Sequence, residues 1–250
     1  MLAGDATSVR ALFNTAAEDA VDKETGEILT RRFDPDAVKY HNEGEKCGHQ
    51  LVSVVARNPF TRERTILDQA IKLRGVGDAT VFTDMALALY KRMPGARATT
   101  YDGAMHAGDF DRTLSAGLIP VTKTQLTKSR EQVRLNLGEY AFRKSDTTTV
   151  NLVITAIHGT PCIHVPTSEG REAICLVRRQ TKIRTNADGT CTVGGFWRVP
   201  NEPVVPKHLR DAEVWISHNS TADEVLRKKP KTRALRVIPE TDPDYGPLFG

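Results

Sequence analysis

The sequence predicts an α/β fold with a β-rich section in its second half, and three observations lead to it. Residues 50–57 and 65–73 are apolar, partly β-branched runs separated by the Asn58-Pro59 turn signal, the pattern of an antiparallel pair. Residues 97–122 then read strand, helix, strand, the rhythm of an α/β unit. From about residue 139 to 199 the character changes to a succession of short strand-like runs.

Taken in order, residues 2–5 read as the end of an apolar strand, close enough to Met1 that the chain is expected to be truncated at its start. Residues 15–45 are polar, with a turn at Gly26 and the Asp34-Pro35-Asp36 punctuation, and are expected to form a long connection. Leu51, Val52, Val54 and Val55 mark the first strand of the antiparallel pair, and Arg62, Glu63 and Arg64 suit a solvated turn before its partner. Val81, Met85, Leu87, Ala88 and Leu89 lie on overlapping helical faces; Asp78 or Thr80 is expected to cap this helix, which Pro94-Gly95 ends. A strand at 97–101 delivers Asp102 at its C-terminal end, before a helix at 110–118 and a strand at 119–122. Further strands are expected at 150–157, 161–165, 173–177, 190–196 and 213–217, and Pro239, Pro243 and Pro247 favour an extended end. These readings divide the chain into the first part of a core (1–138), a β-rich insertion (139–200), and the end of the core with a basic segment and extended tail (201–250).

Of the 250 residues, 39% are hydrophobic and 26% charged, enough apolar material for a real core. No stretch approaches the roughly 18 apolar residues a membrane span needs, and the N-terminus has no basic segment followed by an apolar run, so a cytoplasmic protein is expected. Cys47, Cys162, Cys175 and Cys191 have neither scaffold density nor a C-x-x-C spacing, and are expected to be reduced thiols. A net charge of +4 gives only a weak push toward a polyanion. Local clusters say more: Arg178, Arg179, Lys182 and Arg184 form one, and Arg227, Lys228, Lys229, Lys231, Arg233 and Arg236 another. Each is either a solvated face or a set of phosphate contacts.

Phosphodiester chemistry on DNA uses divalent metal held by carboxylates, so aspartates at strand ends are candidates for a magnesium site. Asp5 and Asp102 each follow a strand-like run and precede small residues, although an aspartate there is also an ordinary turn or capping residue. His41, Cys47 and His49 match no standard zinc spacing. Cys162 and His164 share a strand face, which a nucleophile and its base would need, but packing is the simpler role. No phosphate-binding loop or complete dinucleotide fingerprint is present. Trp197 and Trp215 suit core or strand-surface positions, with stacking on a DNA base as the sharper alternative.

Several segments in order resemble the DDE transposases of bacterial insertion sequences. Gly4-Asp5-Ala6-Thr7-Ser8-Val9-Arg10 resembles their first-aspartate strand, and Lys46-Cys47-Gly48-His49-Gln50-Leu51 the strand that follows. Leu73-Arg74-Gly75-Val76-Gly77-Asp78 stands where they carry a turn before a helix. Thr100-Tyr101-Asp102-Gly103-Ala104-Met105-His106, with residues 114–121 behind it, resembles the second-aspartate motif, and residues 238–250 the approach to the helix bearing the third acid. The resemblance implies a ribonuclease-H-like mixed sheet with flanking helices, Asp5 and Asp102 as ligands for Mg2+ or Mn2+, and metal-dependent DNA cleavage and strand transfer. It also implies double-stranded DNA at transposon ends as partner, nucleoid association, a homodimer as the candidate assembly, and a catalytic glutamate lying beyond Gly250. Two other readings stay open: a non-catalytic DNA-binding remnant of a transposon, and a nuclease of the same fold whose third acid is re-sited, with Glu224 and Glu240 as candidates.

Overall fold

The computed structural model describes residues 1–10, 20–30, 38–40, 46–58, 60–73, 75–101, 105–122, 134–144, 148–227 and 230–249. The fold is mixed α/β and mostly strand, and it divides into two compact units, 1–95 and 96–250. No helix among the described residues is long and apolar enough to cross a membrane.

The first unit holds strands β1 (Leu2–Arg10), β2 (Ala20–Val21), β3 (Ile28–Thr30), β4 (Val38–Tyr40), β5 (Lys46–Arg57) and β6 (Arg64–Ile71), and helix α1 (Asp78–Arg92). The β-branched run around Val52 and Val54 makes β5 the spine. It pairs antiparallel with β1 along one side, and with β4 and β6 along the other. Strand side chains alternate between faces, so the register of β1 on β5 sets Leu2, Gly4 and Ala6 beside Ala56, Val54 and Val52. Leu2, Val52 and Val54 are fully buried on that face, and α1, which packs on β1 and β5, buries Ala79, Phe82, Met85, Ala86 and Leu89. Each large side chain so buried contributes about 1.5–3 kcal/mol. The N-cap position before the helix is Gly77, which supplies no side-chain cap, so neither Asp78 nor Thr80 fills that place; Asp78 stands in the first turn and Lys91 and Arg92 in the last, complementing the helix dipole. Part of the expected connection at 15–45 is folded. β2 and β3 form a small hairpin whose turn is held by Asp22 Oδ1, which accepts from the Glu24 and Thr25 N–H groups.

The second unit opens with β7 (Ala98–Thr100), α2 (Ala107–Ser115) and β8 (Ile119–Val121); β7 and β8 pair in parallel, as a strand–helix–strand unit requires. There follow β9 (Arg134–Arg143), β10 (Thr149–Ile157), β11 (Thr160–Thr167), β12 (Gly170–Cys175), β13 (Val177–Thr185), β14 (Cys191–Arg198) and β15 (Glu213–Ser217), then short helices α3 (Ala222–Leu226), α4 (Lys231–Ala234) and α5 (Tyr245–Phe249). The tail expected to be extended thus contains a helical turn. Strands β9 to β15 form one seven-stranded antiparallel sheet in the order β12-β11-β10-β9-β15-β14-β13. Its two edge strands are consecutive in sequence, separated only by Leu176. A sheet whose opposite edges are joined by one residue must curl back on itself. The curled sheet wraps a core that includes Phe142, Ile154, Ile163, Trp197, Val214 and Ile216, all nearly or fully inaccessible.

Candidate functional site

Asp5 lies within β1, paired with Ser53, rather than after the strand as its sequence context suggested. The alternation that sends Leu2, Gly4 and Ala6 toward α1 puts Asp5 on the opposite face. Ser53 and Gln69 stand on that same face in successive strands, with Gln69 Nε2 donating to Ser53 Oγ at 2.9 Å. Asp5 Oδ1 accepts only the neighbouring Ala6 N–H, at 2.9 Å, among the described residues. Asp5 therefore offers an exposed carboxylate with other oxygen donors beside it, the ligand type magnesium takes. Asp102, the second predicted ligand, lies outside the described residues, as do Gly103 and Ala104. Among the described residues no three His, Cys, Asp or Glu side chains converge as a metal site, so Asp5 alone is a partial donor set. Of the weighed zinc trio, His41 lies outside the described residues. Glu224 is committed locally: its Oε2 accepts from the Thr221 N–H at 2.7 Å, and Lys231 approaches its Oε1 at 3.4 Å. Glu240 is exposed.

The first basic cluster is divided between the two faces of the curled sheet. Arg178 pairs with Trp197 and shares its inner face, where its guanidinium forks onto Asp242 at 2.6 and 3.0 Å and reaches Asp244 at 2.7 Å. A bulge at Arg179 shifts the register, after which Gln180, Lys182 and Arg184 stand with Phe196, Gly194 and Thr192 on the outer face. Trp215, opposite Phe196 on β15, shares this face, and the Arg184 guanidinium lies 4.8 Å from its ring centre. Arg179 sits 3.7 Å from Glu213, an exposed pair of little energetic weight. Among the described residues neither Lys182 nor Arg184 has a carboxylate partner. The outer face near the sheet edge thus carries two uncompensated cations beside a half-buried indole.

Among the described side chains the second basic cluster does not form one surface. Lys231 is largely covered and paired with Glu224, and Arg236 is buried with its guanidinium over Phe110. Arg227 is exposed beside Asp223 at 3.9 Å, while Lys228 and Lys229 lie outside the described residues.

Sequence patterns single out neither Gly194-Gly195 nor His218. The two glycines notch both sides of β14: a Cβ on Gly194 would come within 2.2 Å of the Trp215 ring, and one on Gly195 within 2.5 Å of Trp197 Nε1 and 3.1 Å of His218 Nε2. Adjacent strand residues face opposite ways, so Gly194 leaves room for the Trp215 ring on one face and Gly195 for Trp197 on the other, and a Gly-Gly pair two residues before a tryptophan is the signal. His218 is fully buried beside Trp197, and neither ring nitrogen has a hydrogen-bond partner among the described residues.

No model of a known protein family matches the chain, and no curated protein sequence matches it significantly.

Proposed function

We propose that the chain is a DDE transposase-like protein acting on DNA, with a ribonuclease-H-like core. The observation that supports this reading is the order of elements around the two aspartates. β1, β5 and β6 are antiparallel neighbours, α1 follows, and β7, α2 and β8 then make a parallel unit. That is the order expected of a ribonuclease-H-like core. Asp5 stands in the first strand on the face away from α1, and Asp102 follows β7 in sequence by two residues. Together they would hold Mg2+ or Mn2+, which when bound supplies positive charge to a phosphoryl oxygen and lowers the pKa of an attacking hydroxyl or water. The protein's own part would be to hold the Asp5 carboxylate on a paired strand, with Ser53 and Gln69 as further oxygen donors on the same face. Calorimetric titration of magnesium and manganese into wild type and Asp102→Ala is expected to show binding that the substitution abolishes. Equal or absent binding in both proteins would remove the metal site from this reading.

A second reading, a DNA-binding protein without catalysis, is favoured by the outer face of β13 to β15. Lys182 and Arg184 carry uncompensated charge there, and the Trp215 ring beneath the Arg184 guanidinium holds that cation on the outer face. The double substitution Lys182→Glu and Arg184→Glu is expected to weaken binding to a short DNA duplex at least tenfold. It should also lower the slope of log affinity against log salt by about 2, one counterion for each phosphate no longer neutralised. An unchanged slope would show that DNA is held elsewhere.

A further inference from the structure

We propose that Cys162 and Cys175 are an oxidation site, a cross-strand dithiol that closes to a reversible disulfide at the seam of the curled sheet. They are widely spaced in sequence, yet the register of β11 on β12 sets them directly opposite one another. The Leu176 N–H donates to the Pro161 carbonyl at 2.8 Å, which marks the adjoining pair as the hydrogen-bonded one. Cys162 and Cys175 therefore occupy a non-hydrogen-bonded position, where opposed Cα atoms approach to about 4.5 Å, inside the range a disulfide spans. Their sulfurs lie 3.1 Å apart.

The two thiols differ in a way that assigns their roles. Cys175 is exposed and Cys162 is buried. Burial, reinforced by Cys175, pushes the Cys162 thiol well up, so it stays protonated while an oxidant meets Cys175 first. With a low-molecular-weight disulfide such as oxidised glutathione, the Cys175 thiolate attacks one reagent sulfur, the reagent S–S bond breaks, and one thiolate leaves. Cys162 then attacks the Cys175 sulfur of this mixed disulfide, its proton passing to the second departing thiolate. In sum, one reagent disulfide is reduced to two thiols and the pair is oxidised by two electrons.

The bond would lie at a mechanically sensitive point. Cys175 is the last residue of β12, and only Leu176 separates it from β13, the opposite edge of the same sheet. Tying it to β11 pins the corner at which the sheet turns back on itself.

The test uses the full chain, with its four cysteines, equilibrated in glutathione buffers of increasing oxidised fraction. Free thiols are then counted after denaturation, and linked peptides are identified by mass spectrometry. The expected result is loss of two thiols in one step, an intramolecular 162–175 link, and a rise in Tm of roughly 5–10 °C that dithiothreitol reverses. Cys175→Ser, an exposed position that tolerates the change, should abolish both the two-thiol step and the Tm rise. Four free thiols under the most oxidising buffer, two independent mixed disulfides, or a link through Cys47 or Cys191 would each overturn the proposal.

Discussion

Arg178→Ala is expected to cost the 96–250 unit about 2 kcal/mol, somewhat less than the loss seen when one member of a fully buried ion pair is removed, because this pair is partly buried. The guanidinium grips both oxygens of Asp242, with side-chain exposures of only 13% and 7% for the two residues. Thr181 Oγ1 accepts a further hydrogen bond from Nη1 at 3.2 Å. Asp244, at 69% exposure, adds little, so the cost comes from leaving the Asp242 carboxylate without its counter-charge. Burial pushes the Asp242 carboxyl up, but the hydrogen bonds and charge of Arg178 outweigh it and hold the group below its ordinary range. The pair therefore contributes at neutral pH, and its contribution fades only as pH falls below about 4. Urea denaturation of the wild type, Arg178→Ala and the double variant Arg178→Met, Asp242→Leu tests this. The double variant should recover much of the loss because no charge is left stranded. A change below about 0.5 kcal/mol for Arg178→Ala would class the contact with ordinary surface pairs. Arg178→Ala should also leave DNA affinity nearly unchanged, unlike the outer-face reversals.

A second large effect is expected from acid well above the carboxylate range. Burial, followed by the charges of Arg178 and Lys231, lowers the pKa of His218 to about 3 from an ordinary 6.5. In the unfolded chain the imidazole takes up a proton below 6.5, while in the folded protein it stays neutral. Stability is therefore fully present above pH 6.5 and is lost as pH falls through the window from 6.5 toward 3. At about 1.4 kcal/mol per pH unit, moving from pH 7.5 to pH 5 should remove roughly 2 kcal/mol. Denaturation at those two pH values, in wild type and His218→Gln, isolates the term, since Asp242 titrates below both. The difference between the two pH values should shrink markedly in the variant, whatever its absolute stability. An identical pH dependence in both proteins would show that His218 is not the group responsible.

Much of the architecture was legible because strand periodicity survives wherever one face is buried. The runs at 50–57, 65–73, 150–157 and 213–217 correspond to β5, β6, β10 and β15 with small shifts at their ends. β9 is hidden in the sequence for a specific reason. Leu135 and Leu137 face the core, then a bulge beside Gly138, at φ 93°, slips the alternation by one residue so that Tyr140 and Phe142 continue it out of phase. β13 is hidden because it is an edge strand with mostly exposed side chains; its cations stand out, but not their division between two faces. That division depends on the bulge at Arg179 and on carboxylates more than sixty residues away, which no local pattern encodes. The acidic positions emerge through resemblance rather than periodicity. The environment of Asp5 follows from the register of β1 on β5, which residues near Asp5 do not reveal.

The packing of two rings at the Gly194-Gly195 notch also determines what light reports about this molecule. Trp197 and Trp215 are the only tryptophans in the chain, and both belong to the 96–250 unit, on opposite faces of neighbouring strands. Intrinsic emission excited at the indole band therefore follows the curled sheet alone, and the 1–95 unit is dark to it. Trp197, sealed in the core, should emit to the blue of Trp215, whose ring sits beneath a guanidinium, so iodide should quench the redder fraction first. Unfolding followed by emission and by far-ultraviolet dichroism gives one curve if the two units melt together, and two if the aspartate-bearing sheet lets go on its own.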